Sequence, residues 1–142
     1  MVMLPEVFNS PYGTSHFPVF AEPIPGTIAE LNPVEHPTTA CLHNVAKECG
    51  TYLVGGTYPE RDGACVYNTC VVFGPDGDFL AKYRKMHLFD IDIPGGITFK
   101  ESDTLSPGSD IAVFGVCVCV GVAVCVCAWM CMCAAVCGCT CV

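Results

Sequence analysis

Apolar and polar positions change their period several times along this chain, and each change marks an element. Residues 45–49 carry the last turn of a helical pattern, and Gly50 stands where a glycine ends a helix. The run 52–57 follows, and its LVGG reads as the end of a buried strand. Residues 66–73 (VYNTCVVF) and 79–85 (FLAKYRK) are two strand-like runs. GPDG at 74–77 joins them, with proline at the second turn position and glycine at the fourth, so the pair is a β-hairpin. The alternation in 66–73 suits a strand packed between layers. Between residues 24 and 46 the pattern fails. IPGTIAELNPVEHPTTACLHN has three prolines, no sustained apolar period and a Pro-Thr-Thr cluster, and is expected to be a loop.

Composition divides the chain near residue 110. All fourteen acidic and six basic residues precede Ile111, whereas 111–142 carries no charge and holds nine of the thirteen cysteines. The expected organisation is therefore a folded domain over 1–110 and a low-complexity Cys/Val-rich tail over 111–142 that is not native to the fold. Codon arithmetic offers one origin for the tail: a TG dinucleotide repeat translates as alternating Cys and Val. Two structured readings stay open. The uncharged stretch exceeds the ~20 residues that cross a bilayer, although Leu is absent from it, and its C-x-C pairs could hold zinc or copper through thiolates.

Charge narrows the function. A formal net charge of −8 excludes phosphate-backbone binding as the main task, so nucleic acid is not an expected partner. The opening MVMLPEVF lacks the basic and apolar regions of a secretory leader, and no N-x-S/T sequon occurs, so an intracellular protein is expected. Against this acidic background, three of the six Lys and Arg residues fall at 82–85, in KYRK.

Three charged residues stand where strands run out or loops end: Glu6 after VMLP, Lys85 at the end of the second hairpin strand, and Glu101 after the loop IPGGITFK. Each alone also reads as an ordinary surface charge. With a cysteine they make an amide-hydrolysing set, in which carboxylate takes the thiol proton, thiolate attacks the carbonyl and ammonium stabilises the oxyanion.

LPEVFNSPYG at 4–13, VAKECGTYLVGG at 45–56, YNTCVVFGPDG at 67–77, AKYRKMHLFDIDIPGGITFKES at 81–102 and TLSPG at 104–108 together resemble the nitrilase, or carbon–nitrogen hydrolase, superfamily, and within it the omega-amidase branch. The resemblance implies an α+β fold, part of a nitrilase-type α-β-β-α sandwich, and a homodimer. It implies Glu6 as general base, Lys85 as oxyanion partner and Glu101 as a second glutamate beside them. Tyr12 is a pocket-lining candidate or an ordinary packed aromatic, and Lys82 and Arg84 serve either structural pairing or an anionic substrate. The implied substrates are small ω-amides of 2-oxo dicarboxylic acids such as 2-oxoglutaramate, hydrolysed without metal or organic cofactor in the cytoplasm, or in mitochondria.

The chain departs from the family pattern. NPVEHPTTACLHN stands where the family has a helical segment, and a strand and helix that precede Glu6 in the family have no counterpart here. A sandwich so reduced is expected to leave a sheet edge and an apolar face uncovered. Aligning VGVAVC at 120–125 with the family's nucleophile strand puts Cys125 at the nucleophile position, but the Tyr, Asp and Arg expected after it are missing. A non-catalytic protein whose tail binds metal or membrane is the alternative reading.

Overall fold

The computed structural model describes residues 1–116; Cys125 and the alternative readings of the tail lie outside the described residues. Seven strands and two helices follow in the order β1 (Val2–Met3), α1 (Phe17–Phe20), α2 (Pro37–Cys49), β2 (Leu53–Val54), β3 (Tyr58–Asp62), β4 (Cys65–Phe73), β5 (Phe79–Arg84), β6 (Asp90–Asp92) and β7 (Thr98–Lys100). The predicted hairpin is the centre of the sheet. β5 lies along one edge of β4, pairing Cys70 with Tyr83 and Val71 with Lys82. β2 and then β3 share the other edge, all antiparallel, and β1 adds to β2 in parallel. The register slips by one residue between Val54 and Tyr58.

Strand alternation sends the β4 side chains to two different cores. Val71 and Phe73 join Leu53 and Tyr58 beneath Leu42 and Ala46 of α2, with Ile24 closing the cluster. Cys70 and Val72 face the other way, against Val54, Tyr83 and Phe114. Apolar packing thus runs on past residue 110, through Ala112 and Phe114. Each fully buried side chain of this size contributes about 1.5–3 kcal/mol.

The stretch expected to be a loop contains α2, which begins at Pro37. Proline suits a first helical turn, where its missing N–H has no partner to lose. His36 at the N-cap supplies no side-chain hydrogen bond. The cap comes instead from Glu22, fifteen residues before the helix starts, whose carboxylate accepts the Thr38 and Thr39 N–H groups, each at 3.0 Å, and the Thr39 hydroxyl at 3.1 Å. With its proton committed there, Thr39 Oγ1 accepts the Tyr58 hydroxyl at 2.6 Å. A cap from a distant segment leaves no local sequence signal, and the negative charge also suits the positive end of the helix dipole. The far end follows its sequence signal: Gly50 is left-handed at φ 56°, and the Thr51 N–H bonds to the Ala46 carbonyl at 3.1 Å.

Two further elements were not anticipated. β3 contains Pro59, a residue tolerated at the margin of a sheet. The presumed loop IPGGITFK forms the turn and second strand of the β6–β7 ribbon, closed by Ile93 N–H to the Ile97 carbonyl at 3.0 Å.

Replacing Glu22 with alanine strips three donors at the start of α2 of their acceptor. A loss of about 1–3 kcal/mol in unfolding free energy is expected, read as a lower midpoint in a thermal or urea melt. An unchanged midpoint would show that the cap contributes nothing.

Candidate active site

The pleat of β5 resolves the crowded charges of KYRK. Lys82 pairs opposite Val71 and Arg84 opposite Thr69, so both lie on the α2 side of the sheet. There they converge on Glu60: Lys82 Nζ at 2.9 Å from Oε1, Arg84 Nε at 2.7 Å from Oε2, and Arg84 Nη2 at 2.7 Å from Oε1. The Thr69 hydroxyl adds a bond of 2.7 Å to Glu60, and Arg84 stacks over the Tyr67 ring. Burial works to raise the Glu60 carboxyl, but the bonds from Arg84, Thr69 and Lys82 outweigh it and hold it below the ordinary carboxylate value. A cleft of about 370 Å³ opens beside Arg84 and Lys82, toward Tyr67 and Asp110. Its two cations are already engaged by Glu60 and Asp62.

Lys85 follows β5 with the parity of Tyr83, on the opposite face. It is only 5% exposed. Its Nζ lies 2.9 Å from Glu6 Oε1, and 3.1 and 2.9 Å from the two oxygens of Glu101. Glu101 is fully buried, opens a one-turn 3-10 helix after β7, and accepts the Phe89 N–H at 2.7 Å. Burial would push the Lys85 ammonium down, yet the hydrogen bonds it donates to Glu6 and Glu101 prevail and raise it above the usual lysine value. Lys85 is therefore a fixed cation at neutral pH. Its main chain is tied as firmly, with the N–H donating to the Asn68 carbonyl at 2.8 Å and the carbonyl accepting from Gly108 at 2.9 Å.

Glu6 reaches this face because β1 leads out of the sheet just before it. Val7 turns the chain with φ 49°, a left-handed conformation that a β-branched residue adopts only under strain, and its N–H bonds to Thr57 Oγ1 at 2.9 Å. Gly56 packs directly beneath: a Cβ there would sit 2.2 Å from the Pro5 carbonyl oxygen. Glu6 Oε1 also accepts Asn68 Nδ2 at 2.8 Å.

All three charged residues proposed from sequence thus meet around one ammonium. Tyr12 joins them through its hydroxyl, which donates to Glu101 Oε1, and its ring stands between Phe17 and Phe99. Burial, the bond to Glu101 and the nearby carboxylate charges raise its hydroxyl far above the ordinary tyrosine value, so it remains a donor. Sequence reasoning missed Asn68 and the Phe89 N–H. Asn68 left one signal, a polar residue inside an apolar strand run.

No cysteine among the described residues stands in this cluster. Cys41 and Cys49 are exposed on α2 and Cys65, half-buried, is the first residue of β4. Cys70 is in the core, where burial pushes its thiol up to about 12. Among the described residues no group of three or more His, Cys, Asp or Glu could hold a metal, and no helix is long and apolar enough to cross a membrane.

The chain as a whole has counterparts among known proteins. The carbon-nitrogen hydrolase family model matches residues 1–132. The chain is 57% identical over 119 residues to the omega-amidase NIT2-B of Xenopus laevis and 56% identical over 119 residues to the omega-amidase NIT2 of Homo sapiens. Each match covers 84% of this chain and 40% of the relative, so the chain spans about two fifths of their length. Among solved structures, Saccharomyces cerevisiae Nit3, a member of branch 10 of the nitrilase superfamily, superimposes with a TM-score of 0.64 at 37% identity, over 80% of this chain and 37% of that one. The chain belongs to the carbon–nitrogen hydrolase family, and its α+β fold is part of the nitrilase-type α-β-β-α sandwich.

Lys85→Ala would leave Glu101 a buried, unpaired carboxylate, and about 3–5 kcal/mol of stability should be lost in urea unfolding. A loss under 1 kcal/mol would mean that the pair is not desolvated. At Glu60 the folded-state carboxyl lies below its unfolded value, so its contribution is present above the ordinary carboxylate range and disappears as pH falls through the lower value. The stability gap between wild type and Glu60→Gln should therefore shrink from neutral pH toward acid. A constant gap would count against the ion cluster.

Proposed function

We propose that this chain carries the glutamate–lysine–glutamate part of an omega-amidase active site, which hydrolyses the side-chain amide of small 2-oxo dicarboxylic acid monoamides such as 2-oxoglutaramate and 2-oxosuccinamate. The observation that carries the reading is the meeting of Glu6 and Glu101 on Lys85 Nζ within 3.1 Å. The names of the relatives support the substrate class.

In this reading Glu6 takes the proton of a cysteine thiol and the thiolate adds to the amide carbonyl. Lys85 stabilises the resulting oxyanion. The C–N bond breaks as Glu6 returns the proton to the nitrogen, ammonia leaves, and a thioester remains. Glu6 then removes a proton from water, hydroxide adds to the thioester, and the thiol and dicarboxylate are released. Glu101 keeps Lys85 charged and in place. Cys125 is the proposed nucleophile, on its alignment and on a family match that extends to residue 132 and so spans it. Tyr12 is the proposed pocket-lining residue, held upright by Glu101. We further read residues 1–110 as the folded domain with 111–142 as an appended tail, the substrate as a small amide acted on without cofactor, and the working form as a cytoplasmic homodimer.

The test is ammonia release from 2-oxoglutaramate by the full chain. Glu6→Gln, Lys85→Ala and Cys125→Ala are each expected to lower kcat by at least about 10²-fold. Wild-type turnover that survives Cys125→Ala would remove Cys125 from the mechanism. Absence of turnover in a folded wild type would remove the amidase reading of this chain.

A further inference from the structure

We propose that Asn68 is a positioning residue that holds Glu6 and Lys85 together and leaves one chosen oxygen of Glu6 free for proton transfer. The proposal rests on the amidase reading above.

Asn68 lies in β4 and is 2% exposed, a polar side chain inside the central strand. Its Nδ2 donates to Glu6 Oε1 at 2.8 Å, while its main-chain carbonyl accepts the Lys85 N–H at 2.8 Å. One rigid strand residue therefore grips the carboxylate by its side chain and the lysine by its backbone. Glu6 needs such a grip, since its own side chain is 28% exposed and hangs from a left-handed turn rather than from the sheet.

The grip is also selective. Glu6 Oε1 takes two donors, Asn68 Nδ2 at 2.8 Å and Lys85 Nζ at 2.9 Å, whereas Oε2 has none among the described residues. Two donors occupy Oε1, so Oε2 is the oxygen left open to receive a proton. The amide orientation is set by the same contact. Turning it over would put two acceptor oxygens at hydrogen-bond distance, and in the orientation observed Asn68 Oδ1 is buried with no partner at all. An unsatisfied carbonyl oxygen is tolerated because the other half of the amide is committed to Glu6.

The groups facing Glu6 are Asn68 from β4 and Lys85 after β5, with Glu101 and Tyr12 beyond the lysine. Two carboxylates already share one ammonium. An aspartate at 68 would add a third to the same cluster with almost no change of shape, which separates a charge effect from a packing effect.

The experiment compares Asn68→Asp and Asn68→Ala with wild type in ammonia release, alongside the side-chain amide resonances of Asn68 in 15N-labelled wild type and Glu6→Gln. A positioning role predicts that kcat falls about tenfold or more in Asn68→Ala with KM changed less than about threefold, and falls further in Asn68→Asp. A purely packing role predicts the reverse order, the near-isosteric aspartate being the milder change. The Asn68 amide resonances should move on Glu6→Gln, a readout that needs no turnover and no variant at 68. Resonances unaffected by Glu6→Gln, or an active Asn68→Asp enzyme with wild-type kcat, would overturn the proposal. If wild type releases no ammonia, the amidase reading falls by itself and the resonances alone decide whether Asn68 holds Glu6.

Discussion

A lysine ammonium removed from water is unstable unless carboxylates replace its hydration, and at Lys85 two of them do so. This requirement fixes much of the chain around it. Glu101 must be buried to reach the ammonium, which sets where the β6–β7 ribbon returns before Glu101 opens a one-turn helix. Glu6 must cross from the end of β1, which explains the strained turn at Val7 and the close packing of Gly56 beneath Pro5. The cluster sets two carboxylates around one fixed cation. In the proposed amide hydrolysis, a carboxylate would move protons and the ammonium would meet the charge that develops on oxygen.

The sheet keeps this chemistry apart from a second charge cluster only one strand residue away. Arg84 and Lys85 are neighbours in sequence, but the pleat sends Arg84 to Glu60 under α2 and Lys85 to Glu6 and Glu101 on the opposite face. Glu60 binds Lys82 and Arg84 so fully that neither is left as a free cation near the reactive face. The positive charge concentrated in KYRK is therefore divided between two carboxylate clusters, two residues serving Glu60 and the third serving Glu6 and Glu101.

Supports for both clusters come from segments far apart in the chain. Glu22 caps α2 and bridges by its backbone to Glu60 on β3, so the helix, the margin of the sheet and the Glu60 ion cluster are tied through one short stretch. The strap that carries Ser106 and Gly108 bonds to the main chain at Val66 and Lys85, a second backbone hold on the lysine besides that of Asn68. The curated relatives are about two and a half times as long as the segment matched here.

By itself the sequence determined the elements whose signals are local. The GPDG turn, the helix end at Gly50 and the alternating runs of β4 and β5 depend on backbone conformations that a few adjacent residues dictate. The motifs around Glu6, Lys85 and Glu101 also identified the family. What the sequence left open was decided by contacts between distant segments. α2 starts at Pro37 because Glu22 caps it, and the ribbon at 90–100 forms around a turn that composition reads as loop. Lys85 was separated from Lys82 and Arg84 by the face each occupies, and Asn68 was matched to Glu6 across sixty-two positions. Hydrogen bonds and ion pairs of that range depend on the folded path of the chain, and no local pattern encodes them.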